Sequence, residues 1–230
     1  DYLGDFAVDA AGNVFAVGMC SGTVNSVATK GSGDACIFKL DSSGAILCSR
    51  QVGGTGVDRF NGVSLDEANG YFFAVGNTTS ASFDGTSTVG KAAGIFYRFQ
   101  MSDCAQAGTR YVQSMPLATQ TMHFGGVVVL STGQAVVGFA ISTPTALPGT
   151  TGFNIAGYAP SAYANGGTFG FVKVNTTSGS AVPVQAISVA GTGGGLGAYA
   201  NDIAIDAYET TYMSGHIMKS GASGMIYIKA

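Results

Sequence analysis

Short apolar runs alternate with polar turns along the chain. The first four runs are Phe6 to Asp9, Val14 to Gly18, Cys36 to Leu40 and Ile46 to Val52, with Asp, Asn, Ser and Gly between them. Runs of this length, alternating or wholly apolar, predict β-strands, and the turn residues tolerate the positive φ of tight connections. No segment has the periodicity of an amphipathic helix. The pattern therefore predicts an all-β protein.

The pattern also repeats. The tripeptide Ala-Val-Gly at 16–18 recurs 58 residues later at 74–76, and the same step separates Phe38 from Phe96. Looser copies follow at 125–138 and 201–215, which divides the chain into units 1–57, 58–117, 118–198 and 199–230. Residues 142–169, rich in Pro, Gly, Ala and Thr, lengthen the third unit. Insertions of this kind map to loops.

Four short strands in each unit are typical of a β-propeller blade, a twisted antiparallel sheet packed face to face on its neighbours. We therefore predict a β-propeller-type repeat of four-stranded antiparallel blades, forming one domain or an arc of one. The fourth unit ends after its third strand, so the last of the four blades is incomplete. An open arc leaves a strand edge and a sheet face uncovered.

Three segments resemble the β-propeller repeat family known as SBBP: DAAGNVFAVG at 9–18, GDACIFKLDSSG at 33–44 and VGGTGVDRFNGVSLD at 52–66. The resemblance covers units one and two almost fully and units three and four more loosely. Unit three has Ser-Thr-Gly-Gln at 131–134 in place of the Gly-Asn turn, and unit four has Tyr-Glu-Thr-Thr at 208–211. The resemblance implies the propeller fold and an exported or cell-surface setting. It implies no shared catalytic residues.

Composition excludes several classes of protein. Charged residues make up 10% of the chain, the net charge is −3, and the Lys and Arg residues are scattered singly. A nucleic-acid-binding protein needs a basic patch, so we predict no nucleic-acid partner. Apolar runs such as 127–130 are far too short to cross a bilayer, so we predict no membrane insertion. The chain starts at Asp1 inside a strand pattern, which indicates a processed protein or a piece of a longer one.

Cysteines and sequons point to an oxidising compartment. Cys20, Cys36, Cys48 and Cys104 lack C-x-x-C spacing, so two disulfides are possible in three connectivities, and buried free thiols are the alternative. We favour Cys20 with Cys36, which lie on adjacent antiparallel strands, and Cys48 with Cys104 by elimination. Asn77 and Asn175 begin Asn-x-Thr sequons and are candidate glycosylation sites. These features favour an extracellular or cell-surface location.

Two glycine motifs do not predict nucleotide binding. Residues 85–92 nearly spell a phosphate-binding P-loop, but Ala92 lacks the required hydroxyl and the segment lies between strands. Residues 195–200 match G-x-G-x-x-A but lead into a strand. We predict no cofactor.

Histidines, aspartates and glycines at repeated positions are interpreted as structural. His123 and His216 have no second ligand at metal-binding spacing, so we predict no metal site and no catalytic triad. We predict that the recurrent carboxylates close Asx-turns, and that the recurrent glycines mark bulges or close backbone approach. The carboxylates are Asp9, Asp66 and Asp206, and the glycines are Gly18, Gly76, Gly138 and Gly215.

Three functions follow as hypotheses. The first is a non-catalytic extracellular structural or adhesive protein that self-associates, or binds other extracellular proteins, in a filament or cell-surface assembly. The alternative is a propeller module that binds a glycan or a protein through the loops of one face, with Tyr158 and Tyr163 in the long insertion as candidates. The third, a propeller hydrolase or lyase, needs carboxylates and a histidine that converge near the axis. We predict no enzyme.

Overall fold

The computed structural model describes residues 1–88, 92–113, 121–142, 167–175, 181–189, 197–219 and 222–229. All regular structure in these residues is β-strand, and every strand pairing within the sheets is antiparallel. The all-β fold class with antiparallel sheets is confirmed. Tyr158 and Tyr163 lie outside the described residues.

The strands form four consecutive sheets in which chain neighbours pair. Sheet 1 contains β1 (Tyr2–Val8), β2 (Val14–Cys20), β3 (Asp34–Leu40) and β4 (Ile46–Val52). Sheet 2 contains β5 (Asp58–Asp66), β6 (Tyr71–Thr78), β9 (Ala93–Gln100) and β10 (Gln106–Gln113), and a small hairpin, β7 (Ser82–Phe83) with β8 (Thr86–Ser87), separates β6 from β9 along the chain. Sheet 3 contains β11 (Thr121–Val129), β12 (Gln134–Ser142), β13 (Gly167–Asn175) and β14 (Ala181–Val189). Sheet 4 contains β15 (Gly197–Ile205), β16 (Thr211–Lys219) and β17 (Ala222–Lys229).

Each sheet packs its first strand across the sheet before it. Strand β5 lies on β1, β2 and β3, β11 lies on β5, β6 and β9, and β15 lies on β11, β12 and β13. We call the face of a sheet that contacts the preceding sheet its upstream face, and the opposite face its downstream face. Among the described strands, β1 and β15 do not pack side by side. Among the described strands, none packs extensively on the upstream face of sheet 1 or on the downstream face of sheet 4.

Apolar side chains fill each of the three sheet interfaces. Between sheets 1 and 2, the ring of Phe15 lies 5.0 Å from that of Phe72, which stacks on Phe99 at 5.2 Å. Between sheets 2 and 3, Phe73 and Phe96 pack on the aliphatic residues of β12 and β13. Because every interface buries side chains from two sheets, no sheet forms a core by itself.

A β-bulge interrupts every first strand at the same structural position. Its extra residue has no partner in the second strand. The four bulge residues are Gly4, Asn61, Gly125 and Asn201. A bulge bends the strand and re-aims the side chains beside it.

Three of the four recurrent glycines pair with the residue just before the bulge. Gly18 faces Leu3, Gly76 faces Phe60 and Gly215 faces Ala200. A Cβ on Gly18 would lie 1.9 Å from the carbonyl oxygen of Tyr2. The interpretation of these glycines as sites of bulging and close approach agrees with this geometry.

Gly138 and Phe96 were each matched to the other repeats one position out of register, so both of these predictions are wrong. In sheet 3 the residue opposite Phe124 is Phe139, while Gly138 pairs with Gly126 beyond the bulge. Phe38 pairs with Ala16, and the matching Ala74 pairs with Tyr97 rather than with Phe96. A shift of one residue in a strand moves a side chain to the other face, so Phe96 packs toward sheet 3.

Buried carboxylates hold the connection between sheets 1 and 2. Asp58 is fully buried and accepts hydrogen bonds from Gly54 N at 2.7 Å and from the Ser80 hydroxyl at 2.9 Å. Asp34 is also fully buried and accepts a hydrogen bond from Gln51 Nε2 at 3.1 Å. Burial is the largest influence on Asp58 and raises the pKa of its carboxyl.

Both disulfides have the pairings that the sequence favours. Cys20 is bonded to Cys36 on the neighbouring strand of sheet 1. Cys48 of β4 is bonded to Cys104 in the turn between β9 and β10. The second bond therefore joins sheet 1 to sheet 2.

Replacing Gly76 with alanine tests the close approach at the bulge. A Cβ there would lie 2.0 Å from the carbonyl oxygen of Arg59 and 2.8 Å from Phe60 Cα, and neither backbone atom can move without disturbing the strand pair. We expect Gly76→Ala to lower the free energy of unfolding, measured in urea, by roughly 2 kcal/mol or more.

Gly22→Ala is the matched control, since a Cβ on Gly22 meets no atom within 4 Å. Its unfolding free energy should stay within about 0.5 kcal/mol of the parent protein. Equal stability of the two variants would contradict the steric account of the bulge.

Candidate functional site

The upstream face of sheet 1 is an exposed apolar surface. On β1, the side chains of Leu3, Phe6 and Val8 are 63%, 60% and 51% exposed. A groove beside them is lined by Ala16 and Phe38 of the next two strands. We call the three β1 side chains with this groove the open face.

The equivalent positions in the other sheets are covered. Phe6 corresponds to Val63, Val127 and Ile203, which are 6%, 4% and 5% exposed. Leu3 corresponds to Phe60 and Phe124, both fully buried. The open face thus has the residue types of a sheet interface without the second sheet.

A polar cavity of about 290 Å³ lies where the four first strands meet. Four of its lining side chains occupy one equivalent position, two residues before the bulge: Tyr2, Arg59, His123 and Tyr199. The bulge residues Gly4, Asn61 and Asn201, together with Ala200, complete the lining. None of these described lining residues is a carboxylate.

Arg59 is held by a hydrogen bond and by an aromatic ring. Its Nε donates to Asn77 Oδ1 at 3.1 Å, and its guanidinium carbon lies 5.9 Å from the centre of the Tyr2 ring. Asn77 Oδ1 also accepts from Asn61 Nδ2, which donates in addition to the carbonyl oxygen of Phe124. Asn77 therefore fixes two of the cavity residues at once.

His123 is the end of a stack of rings. Its ring centre lies 5.4 Å from that of Tyr199, which stacks on His216 at 4.8 Å. Burial, and secondarily the charge of Arg59, lower the pKa of His123 to about 4. His123 is therefore neutral at pH 7, and Arg59 is the one charged side chain among the described residues that line the cavity.

The recurrent aspartates close turns. Asp9 Oδ1 accepts hydrogen bonds from the amides of Ala11 and Asn13, and Asp206 Oδ1 does the same with Tyr208 and Thr210. Asp66 Oδ1 accepts from Asn69 in its own turn. Within the described part of the chain, no group of three or more His, Cys, Asp or Glu residues is arranged to hold a metal ion.

The two glycine motifs that resemble nucleotide-binding loops lie in β-structure in the parts that the structure describes. Gly85 is in the turn of the β7–β8 hairpin with φ 79°, and residues 89–91 lie outside the described residues. Residues 197–200 of the second motif begin β15, while 195 and 196 lie outside the described residues.

Asn77 does not suit glycosylation in this fold. Its side chain is 4% exposed, and its amide oxygen is bonded to Arg59 and Asn61, so a glycan on Nδ2 has no room. The prediction of a glycan at Asn77 is therefore corrected to a structural role beside the cavity. Asn175 ends β13, and the rest of its sequon lies outside the described residues.

The cavity and its charged residue, Arg59, were not predicted from the sequence. Arg59 stands at the same position as His123, but the alignment of repeats was based on apolar and glycine positions. A register that includes the bulge brings Tyr2, Arg59, His123 and Tyr199 into one column. Polar side chains at one equivalent position of four otherwise apolar strands were the pattern from which the cavity could have been predicted.

Comparisons with known proteins give no family. No protein-family model and no curated protein matches the chain. Among solved structures, a luciferin-regenerating enzyme is similar over 98% of this chain and 60% of its own, with 11% identity and a TM-score of 0.49. A protein of unknown function from Bacteroides caccae is similar over 93% of this chain and 72% of its own, with 9% identity and a TM-score of 0.33.

The prediction that this protein is no enzyme is withdrawn. The first of these structural neighbours is named an enzyme. The similarity assigns no activity to this chain. The chain spans about 60% of that neighbour's length.

The buried ring of His123 makes stability depend on pH. Its folded pKa of about 4 is below the ordinary value of 6.5, so folding favours the neutral ring. The contribution of the neutral His123 ring to the free energy of unfolding is complete above pH 6.5 and is lost as the pH falls toward 4. We expect the parent protein to lose roughly 2 kcal/mol more unfolding free energy than His123→Gln between pH 7 and pH 4, allowing for solvent screening of the ring.

Urea unfolding of both proteins at several pH values measures this difference. The titration of the His123 ring protons by NMR checks its origin. A midpoint near pH 6.5 would contradict the assigned environment.

Proposed function

We propose that the four sheets are consecutive blades of a β-propeller-type arc, and that the protein is an extracellular or cell-surface structural component that assembles with copies of itself. The packing of each first strand on the preceding sheet supports the arc. The cavity lined by all four first strands supports a common axis.

The open face is the observation that carries the assembly. Exposed apolar patches on a folded domain mark interaction sites. Here the same positions in sheets 2, 3 and 4 rest on a preceding sheet, so the repeat itself specifies the partner: the downstream face of a sheet of this type. The second copy supplies that face through its sheet 4.

The downstream face of sheet 4 is free to accept it. Asp202, Ala204 and Ser214 are exposed there, and a recess of about 190 Å³ lies among them beside Tyr212. Asp202 is equivalent to Asp5, whose Oδ2 accepts a hydrogen bond from Val63 N of the following sheet at 3.0 Å. In the assembly, Asp202 of one copy takes the same role toward β1 of the next.

The contact is heterologous because two different faces meet. A heterologous contact that does not close into a ring continues as a filament. This geometry supports a polymer or sheath rather than a twofold dimer.

An extracellular setting is compatible with two disulfides, which persist under oxidising conditions. No helix in the described residues is long and apolar enough to span a membrane. Binding of a glycan or protein by Tyr158 and Tyr163 stays a prediction, since both lie outside the described residues.

Phe6→Glu tests the assembly. A carboxylate at the centre of the open face would be buried without a partner in the contact, so we expect the sedimentation coefficient to become independent of protein concentration. The parent protein should form larger species as its concentration rises, measured by analytical ultracentrifugation and by electron microscopy of the polymers.

Leu47→Glu is the control, because Leu47 on β4 is 52% exposed and lies outside the open face. It should assemble as the parent protein does. A monomeric parent protein, or equal assembly by Phe6→Glu, would overturn the proposal.

A further inference from the structure

We propose that the polar cavity binds a small hydroxylated carboxylate, with Arg59 as the residue that holds the carboxylate group. This inference goes beyond the assembly, because it rests on the cavity and not on the open face.

Arg59 forms no salt bridge with a described residue, whereas Arg110 is paired with Asp84. The described residues that line the cavity include no carboxylate. His123 beside Arg59 is neutral at pH 7. A half-buried guanidinium with neutral neighbours favours an anion as its partner.

The guanidinium is positioned before any ligand arrives. The Nε of Arg59 already donates to Asn77 Oδ1, and the guanidinium lies over the ring of Tyr2. No hydrogen bond to a described residue uses the two terminal nitrogens, so these donors are available to a ligand. Two parallel N–H donors match the two oxygens of a planar carboxylate.

The geometry favours a carboxylate over inorganic phosphate. A phosphate dianion is usually held by several cations or by a row of backbone amides, and this cavity supplies one guanidinium. A single bidentate contact neutralises the one negative charge of a carboxylate.

The remaining lining selects for hydroxyl groups on the ligand. Both neighbours of Tyr199 are histidine rings, so that ring is already stacked. The polar side chains that line the cavity can form hydrogen bonds with hydroxyl groups, and Asn61 does so through its amide oxygen because its Nδ2 already donates to Asn77 and Phe124. The other polar lining residues are Tyr2, His123, Tyr199 and Asn201. At about 290 Å³ it has room for a molecule the size of one sugar acid.

Isothermal titration with D-glucuronate, D-glucose and inorganic phosphate tests the proposal at pH 7. We expect saturable binding of glucuronate, and weaker binding of glucose, which lacks the carboxylate, and of phosphate. Arg59→Gln should weaken glucuronate binding at least about tenfold, as loss of a charge-assisted hydrogen bond does. Arg110→Gln, which removes the same charge away from the cavity, should bind as the parent protein does.

NMR titration of His123 supplies a second readout. An anion bound at Arg59 should raise the pKa of His123 in the parent protein and leave it unchanged in Arg59→Gln. Running both experiments on Phe6→Glu as well separates ligand binding from assembly.

Three results would overturn the inference. They are glucose or phosphate binding as tightly as glucuronate, unchanged binding by Arg59→Gln, and no binding of glucuronate at concentrations on the order of 10 mM.

Discussion

Direct contact between the backbones of neighbouring first strands is the constraint on which the other features depend. A Cβ on Gly4 would lie 2.3 Å from the carbonyl oxygen of Phe60, and one on Gly125 would lie 2.3 Å from that of Ala200. Between β5 and β11, a Cβ on Gly62 would lie 2.7 Å from the Cα of Gly126. Side chains larger than hydrogen would force these strands apart. The strands would then no longer enclose one cavity, and the sheets behind them would lose their fit.

The bulge lets one strand serve two environments. Before the bulge, the side chains of Tyr2, Arg59, His123 and Tyr199 line a polar cavity. After it, Val63, Val127 and Ile203 lie in the dry interfaces between sheets. A regular strand alternates its faces strictly, so residues three positions apart would face opposite sides. The extra residue instead keeps Phe60 and Phe124 on the same interface face as Val63 and Val127.

Much of this structure could be predicted from local patterns. Strand runs, the Asx-turns at Asp9 and Asp206, and the near neighbours Cys20 and Cys36 all depend on residues close in sequence. The register of distant repeats could not be predicted, because the turns and loops differ in length by single residues. For that reason Phe38 was matched to Phe96. Gly138 was matched to Gly76 because a glycine lies one residue before the equivalent position, which Phe139 occupies.

The cavity was hidden for a related reason. Its members are scattered over four strands, and each one by itself is an ordinary tyrosine, arginine or histidine. Asn77 was predicted as a glycosylation site, but a three-residue sequon does not indicate whether its side chain is buried. Its amide belongs to the network around Arg59.

The bond between Cys48 and Cys104 gives the molecule a mechanical asymmetry. It closes a loop across a sequence separation of 56 residues, and such a loop restricts the unfolded chain by about 4 kcal/mol. Sheets 1 and 2 are joined by a disulfide, while no disulfide ties sheet 3 or sheet 4, because all four cysteines lie in sheets 1 and 2. Under tension applied at the two termini, sheets 3 and 4 would separate first, and sheets 1 and 2 would stay joined by the disulfide.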